Sequence, residues 1–201
     1  MSATPIRRLF DDAYFDRYYR DPRTRVGDEP SARKQGRFIA AYLDWLDIPV
    51  RRIVDLGCGL GRLREPLLEA FEKASYTGVD RSEYLCREYG WVCSCAADFR
   101  SGLRFDLVIC NDVLQYLDDE QAQGSLENMA NLCQGALFFD ALTLDDWQSV
   151  CDRSLTDDHC HLREGRWYRR RLEPAFIAVG GGMFISRRAD IPIYELMRAS
   201  K

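Results

Sequence analysis

In this 201-residue chain, the residue types best able to do chemistry together are three glycines and two carboxylates. They stand in Val54-Asp55-Leu56-Gly57-Cys58-Gly59-Leu60-Gly61-Arg62 and in Tyr76-Thr77-Gly78-Val79-Asp80. A short apolar run precedes the glycines and a helical pattern follows them, which places the loop between a strand and a helix. Glycines there let the backbone approach a ligand and aim amide N–H groups at it from the start of a helix. A dinucleotide loop spaces its glycines G-x-G-x-x-G, whereas this one reads G-x-G-x-G with Arg62 where the third glycine would stand. An NAD assignment fails on that residue.

Asp55 narrows the choice of ligand. A carboxylate at the strand end sits badly beside a pyrophosphate but suits a ligand carrying an ammonium and a sulfonium, and S-adenosylmethionine has both. Asp80 closes the next strand, where it can accept hydrogen bonds from two ribose hydroxyls. NAD would use the same acid, so Asp80 does not discriminate on its own. The competing interpretation of the loop is a tight strand–helix connection without a ligand.

On these residues the sequence resembles the class I S-adenosylmethionine-dependent methyltransferases from about Ile53 to Leu142. VDLGCGLG resembles the first motif of that family, GVD the second, AADFR the adenine-contacting segment, and FDLVICNDVLQYL the motif after the fourth strand. The resemblance implies an enzyme that uses S-adenosylmethionine, with a cofactor-binding set of Asp55, Gly57, Cys58, Gly59, Gly61, Asp80, Arg81, Asp98, Phe99 and Asn111. Within it, Gly57 and Gly59 border the methionine moiety, Asp80 the ribose and Asp98 the adenine amino group with Phe99 nearby. Asn111 meets the methionine end through its backbone. The segments HLREGRWYRRRL and VGGGMFISR resemble a bacterial subgroup.

Methyl transfer from a sulfonium needs an in-line nucleophile in a dry pocket, and a base where the acceptor must first lose a proton. The strand end reads CNDV and not the Asn/Asp-Pro-Pro-aromatic tetrad of many base and glutamine methyltransferases, which disfavours those acceptors. The catalytic candidates are Asp112, Tyr18 and His161, one of only two histidines. His159 and His161 fit three roles: general base, metal ligand with a distant Cys or Asp157, or surface polar residue. No third or fourth ligand has convincing spacing, so no metal is expected. The cluster Arg166, Trp167, Arg169, Arg170 and Arg171 reads either as a solvated helix face or as an anion clamp. With Arg163 or Arg170 as the clamp, a small acceptor, carboxylated or phosphorylated, is expected.

The elements that must position these residues follow from periodicity. RRIVDL, YTGVD, WVCSCAA, FDLVIC and GALFFDAL are strand candidates, alternating with helices near Arg62–Lys73, Ser82–Tyr89 and Asp118–Leu132. This alternation predicts an α/β fold, a doubly wound, mostly parallel seven-stranded Rossmann-like sheet with an N-terminal helical extension. One domain is expected, with residues 1–48 as the cap and 49–201 as the core. In the extension, Phe10, Tyr14 and Tyr18 form an aromatic stripe, and a second helix starts at Ser31 as N-cap. A last helix is predicted near Arg166–Leu172, and FIAVGGGMFISRR reads as strand, turn, strand.

Composition sets the outer limits. Lys and Arg number 28 against 32 Asp and Glu, a net charge of −4, which disfavours nucleic acid as partner. No run of about 18 apolar residues and no apolar segment behind Arg7 and Arg8 suggest a membrane or secreted protein. The eight cysteines lie mostly in apolar segments without Cys-x-x-Cys spacing, as expected of reduced thiols in the cytoplasm. The leading expectation is a methyltransferase acting on an O or N nucleophile of a small molecule. An RNA methyltransferase and a non-catalytic S-adenosylmethionine-binding module are the alternatives.

Overall fold

A computed structural model describes residues 10–157 and 159–199; Arg7 and Arg8 lie outside them. Seven strands form one sheet: β1 (Arg52–Leu56), β2 (Ser75–Asp80), β3 (Val92–Cys93), β4 (Phe105–Asn111), β5 (Cys133–Asp140), β6 (Phe176–Gly180) and β7 (Met183–Ser186). Their order is β3-β2-β1-β4-β5-β7-β6. The first five pair in parallel, and β7 runs antiparallel to both β5 and β6. β1 has β2 on one side and β4 on the other, so the chain reverses its direction of travel across the sheet at β1/β4. In open α/β sheets a ligand crevice forms at that point, beyond the carboxyl ends of the strands.

Central strands buried on both faces read as apolar runs, as LVIC in β4 and ALFF in β5 do. One face packs under α5 (Asp119–Leu132) and α7 (Gly165–Leu172), with Leu126, Met129, Tyr168 and Leu172 against Val108, Leu137 and Phe139. The other packs under α2 (Glu29–Trp45) and α3 (Arg64–Ala70), with Ile39, Leu43 and Leu67 against Ile53, Leu107 and Ile109. The apolar positions of α2 recur at helical spacing, which is what fixes that face to the sheet. Among the described residues, no helix is long and apolar enough to cross a membrane.

Several boundaries differ from expectation, each for a local reason. The N-cap of α2 is Asp28 and not Ser31: its carboxylate accepts from Ser31 N–H at 2.9 Å, and Pro30 suits the first turn. The strand expected over WVCSCAA stops at Cys93, because Asp98 and Phe99 N–H groups both bond back to Cys95 C=O in a turn. The N-terminal helix is α only over Asp12–Phe15 (α1) and then becomes a π turn over Asp16–Arg20, closed by Asp21 N–H to Asp16 C=O at 2.8 Å. A helix that the looser sequence pattern did not announce, α6 (Leu144–Ser149), starts in a capping box of Thr143 and Asp146. Helix α4 (Glu83–Tyr89) follows its N-cap Ser82, within the expected span, and ends in left-handed Gly90.

The β4/β5 pairing carries an irregularity between Phe105 and Leu107. There the Asp106 carboxylate accepts from Arg51 N–H, Arg52 N–H and the Gln134 side chain, tying the start of β1 to its neighbours. Gly135 lies against this bulge, and a Cβ on it would stand 2.3 Å from Asp106 C=O. Backbone cannot yield as a side-chain tip can. Gly135→Ala is expected to lower stability by about 2–3 kcal/mol in urea unfolding; an unchanged midpoint would mean that the two strands can separate locally without cost.

Candidate active site

The glycine loop leaves β1 and folds back over the end of β2. Gly57, Gly59 and Gly61 all have left-handed backbones, with φ of 79°, 54° and 70°. Gly57 and Cys58 N–H both donate to Val79 C=O, at 2.7 and 3.1 Å. The Asp80 carboxylate accepts from Gly59 N–H at 2.9 Å and from Ser82 N–H at 2.8 Å. A Cβ on Gly57 would strike Val113 at 2.3 Å and one on Gly61 would strike Trp91 at 2.6 Å, but one on Gly59 would meet nothing within 4 Å. Packing therefore demands two of the glycines, while the third borders open space.

That space has two lobes. The smaller, about 70 Å³, is bordered by Gly59, Asp80, Arg81, Cys95, Ala96 and Val113. The larger, about 470 Å³, runs from Asp55, Gly57 and Cys58 past Asn111 and Asp112 to Gln35, Gln115 and Asp157. Tyr14, Tyr19, Gly57, Gly59, Asp112 and Tyr116 border both. Tyr14 O–H donates to Tyr116 Oη at 3.1 Å, and the π turn brings Tyr19 to 6.2 Å from Tyr14, ring centre to ring centre. Arg62, in the place of a third dinucleotide-loop glycine, reaches back and donates to Tyr19 C=O and, at 2.8 Å, to Gly27 C=O. It fastens the N-terminal cap to the loop.

Asp55 and Asp80 are buried at the cleft, while Asp112 and Asp140 lie at its edge with part of their surface exposed. Burial raises the Asp55 carboxyl to about 7 despite a hydrogen bond from Tyr76 O–H at 2.6 Å, and the Asp80 charge adds to the rise. Burial also raises Asp80, against its backbone N–H donors. Asp112 has a left-handed backbone with φ of 57°, rare for a non-glycine residue. Its carboxyl is raised by the surrounding protein, and the side chain of Asn111 donates to it at 3.2 Å. Asp140, at the end of β5, is raised to about 6 by burial and by Asp112. Burial likewise pushes up the Tyr14 and Tyr116 phenols and the Cys58 thiol.

The structure brings together Asp55, Gly57, Cys58, Gly59, Asp80, Arg81, Asn111, Asp112 and Tyr18 around the two lobes. Gly61 stands behind them, closed off by Trp91. Others are set apart. Asp98 is exposed on a separate surface groove, and Phe99 is buried in the core, because the turn at Cys95 carries both away from the cleft. His161 borders neither lobe; its backbone N–H donates to Gln115 C=O at 2.6 Å and its ring is exposed. The arginines expected as an anion clamp are set apart as well. Arg163 is buried and committed to Leu114, Leu117 and His161 C=O and to Asp119, while Arg166 pairs with Glu164 and Arg171 stacks on Trp167. Arg170 is exposed and borders neither lobe.

Sequence reasoning missed Gln35, Gln115, Tyr19, Tyr116 and the placement of Asp157. Gln115 and Tyr116 were within reach, since they follow β4 by one helical turn inside a motif already singled out. His159 stands with Nδ1 3.1 Å from the Asp157 carboxylate, an interaction its spacing permits. Among the described residues, no group of three His, Cys, Asp or Glu side chains could hold a metal ion.

Strand order and the position of the loop define an open, mostly parallel α/β fold with the loop at its switch point, and comparison with known proteins shows what it is similar to. Residues 54–135 match the family model described as "Methyltransferase domain". That segment, which runs from β1 into β5, is similar to the methyltransferase domains of that family. It is 48% identical over 44 residues to a trans-aconitate 2-methyltransferase of Rhodopseudomonas palustris strain BisA53, a match that spans 22% of this chain and 17% of that protein. Its fold is similar to that of magnesium protoporphyrin IX methyltransferase from Synechocystis PCC 6803 with bound SAH, with a TM-score of 0.62, 24% identity, and coverage of 92% of this chain and 94% of that one. It is also similar to DesVI of Streptomyces venezuelae, with a TM-score of 0.59, 13% identity, and coverage of 77% and 91%.

A buried carboxyl with its pKa raised to about 7 ties stability to pH. The folded protein holds the Asp55 proton more tightly than the unfolded chain, so the stability this proton confers is complete below about pH 4 and lost as pH rises through about 7. Asp55→Asn is therefore expected to flatten the decline of the urea midpoint between about pH 5 and pH 8. A variant with the same slope as the parent protein would show that Asp55 ionises freely in the folded state.

Proposed function

We propose that the chain is an S-adenosylmethionine-dependent methyltransferase acting on a small molecule that occupies the larger lobe. The observation that carries this is the open space beside Gly59, bordered by Asp80 on one side and continuous with the tyrosine-walled lobe at the end of β4. The residues present fit the cofactor. Asp80 retains acceptor capacity for ribose hydroxyls beyond its two backbone bonds. Asp55 offers a carboxylate to an ammonium, and the backbone at Asn111 borders the same lobe. The Arg81 Nη1 atom is buried without a partner next to the smaller lobe, as a donor awaiting an acceptor would be. Cys95 and Ala96 there replace Asp98 and Phe99 as the neighbours of the base.

When bound, the cofactor supplies a methyl group on a sulfonium, a good leaving group. The chain's own task is then to orient the acceptor and exclude water. Tyr14, Tyr18, Tyr19 and Tyr116 give flat walls with polar rims, and Asp112 stands between the lobes as the group that takes a proton. Residues 1–48 act as cap and 49–201 as core of one unit, joined through Arg62. A phosphate-rich acceptor such as RNA has little support, since the arginines of the α7 region are occupied or face away from both lobes.

Isothermal titration is expected to show S-adenosylmethionine and S-adenosylhomocysteine binding and no NAD binding. Asp80→Asn should weaken both by about 1.5–3 kcal/mol through loss of charge-assisted hydrogen bonds. NAD binding of equal strength, or an Asp80→Asn variant with full affinity, would contradict the assignment.

A further inference from the structure

We propose that the methyl acceptor is an amine, held as its ammonium by Asp112, Asp157 and Gln115 against the tyrosine wall. This deepens the methyl-transfer assignment above and rests on it. Three independent observations point the same way: the charge of the larger lobe, a buried acceptor atom without a donor, and aromatic faces.

The larger lobe is bordered by four aspartates, Asp28, Asp55, Asp112 and Asp157, and by one arginine, Arg62. Arg62 spends its terminal nitrogens on the Tyr19 and Gly27 carbonyls, and Asp28 caps α2 beside Arg25. Asp55 lies next to the glycine loop, where the methionine end of the cofactor belongs. Asp112 and the second carboxylate oxygen of Asp157, whose Oδ1 faces His159, remain for the acceptor. A carboxylate or phosphate placed among them would add like charge at short range, whereas an ammonium would neutralise it.

Gln115 is 3% exposed and borders the same lobe. Its amide oxygen Oε1 is buried and has no hydrogen-bond partner. Native proteins rarely leave such an atom unsatisfied, and a ligand with N–H groups is what would satisfy it. Asp112, Asp157 and the Gln115 carbonyl are all acceptors, so their ligand must be a donor. An ammonium brings three donors, a hydroxyl one and a carboxylate none.

The tyrosine rings supply the remaining surface. Tyr14 and Tyr18 lie 4.9 Å apart, centre to centre, and border the lobe with Tyr19. Cations are drawn to aromatic faces. An ammonium has no free electron pair, so its proton must leave before transfer. The Asp112 carboxylate takes it, and the nitrogen pair then forms a bond to the methyl carbon while the carbon–sulfur bond breaks, its electron pair going to sulfur. The products are an N-methylammonium ion and a neutral thioether, and the proton on Asp112 passes to solvent through the cleft.

Benzylamine, benzyl alcohol and benzoate, with hexylamine, hexanol and hexanoate as an aliphatic set, test this when titrated into the full chain saturated with S-adenosylhomocysteine. At least one amine is expected to bind about tenfold tighter than its alcohol and carboxylate counterparts. With S-adenosylmethionine in place of the homocysteine product, its N-methyl derivative should be detected by mass spectrometry. Asp112→Asn and Asp157→Asn should each weaken that amine about tenfold, with S-adenosylhomocysteine affinity nearly unchanged as proof of an intact fold. Equal or tighter binding of the alcohols or carboxylates overturns the proposal, as does a complex that binds neither amine, or variants that bind the amine as the parent does. Failure of the parent protein to bind S-adenosylhomocysteine would instead overturn the methyl-transfer assignment itself.

Discussion

The position of the glycine loop depends on the Asp80 carboxylate and the two backbone N–H groups that it accepts, from Gly59 and Ser82. A carboxylate so deeply placed would be costly if left bare, and the N–H donors are what make it tolerable. They also fix geometry. Gly59 is drawn towards the end of β2, so the loop turns its free side to the end of β4, where Val113 fills the space that a Gly57 side chain would need. The cofactor loop and the acceptor wall thus meet across a contact with no side-chain freedom on the glycine side. A change at either is transmitted to the other.

Two arginines extend this frame outward. Arg62 binds carbonyls of the N-terminal segment, and Arg163 binds carbonyls at Leu114, Leu117 and His161. Each satisfies several backbone acceptors that the chain would otherwise have to expose or leave unpaired. Between them they hold the cap and the 157–163 segment against the turn after β4, the surfaces that enclose the larger lobe. Arg163 shows why a basic residue near a cleft is weak evidence for an anionic ligand: its charge serves the backbone.

What could be read in the sequence was what local pattern determines. Apolar runs gave the five parallel strands, Gly57, Gly59 and Gly61 the loop, and Asp80 the strand end, because each requirement acts within a few residues. The tertiary readings fared differently. β3 was drawn too long because Trp91, packed on Gly61 and Gly78, and the turn at Cys95 respond to neighbours far along the chain. Asp98 and Phe99 rest on the resemblance alone, and the turn at Cys95 sets both apart from the two lobes. His161 was chosen for its chemistry, but its backbone is what holds it, through Gln115, and the ring faces solvent. The π turn at Asp16–Arg20, which adds Tyr19 to the wall, leaves no mark in an aromatic stripe that an α-helix would explain equally well.

The carboxyl ends of the central strands gather groups that a fold chosen for stability would avoid. The surrounding protein raises the carboxyls of Asp55 and Asp80, which are buried, and of Asp112 and Asp140, which are partly exposed, and Asp112 also raises Asp140. Asp112 adds a left-handed backbone that costs a non-glycine residue about 1 kcal/mol or more. The crowding of these carboxylates is unfavourable in the free protein, and positive charge placed in the cleft relieves it. A sulfonium and an ammonium on the cofactor relieve some of it, and an ammonium on the acceptor relieves more. The repulsion stored among these acids is therefore best understood as selectivity: it weakens the free protein slightly, and it makes the cleft hostile to an anion at the site where a cation is most strongly drawn.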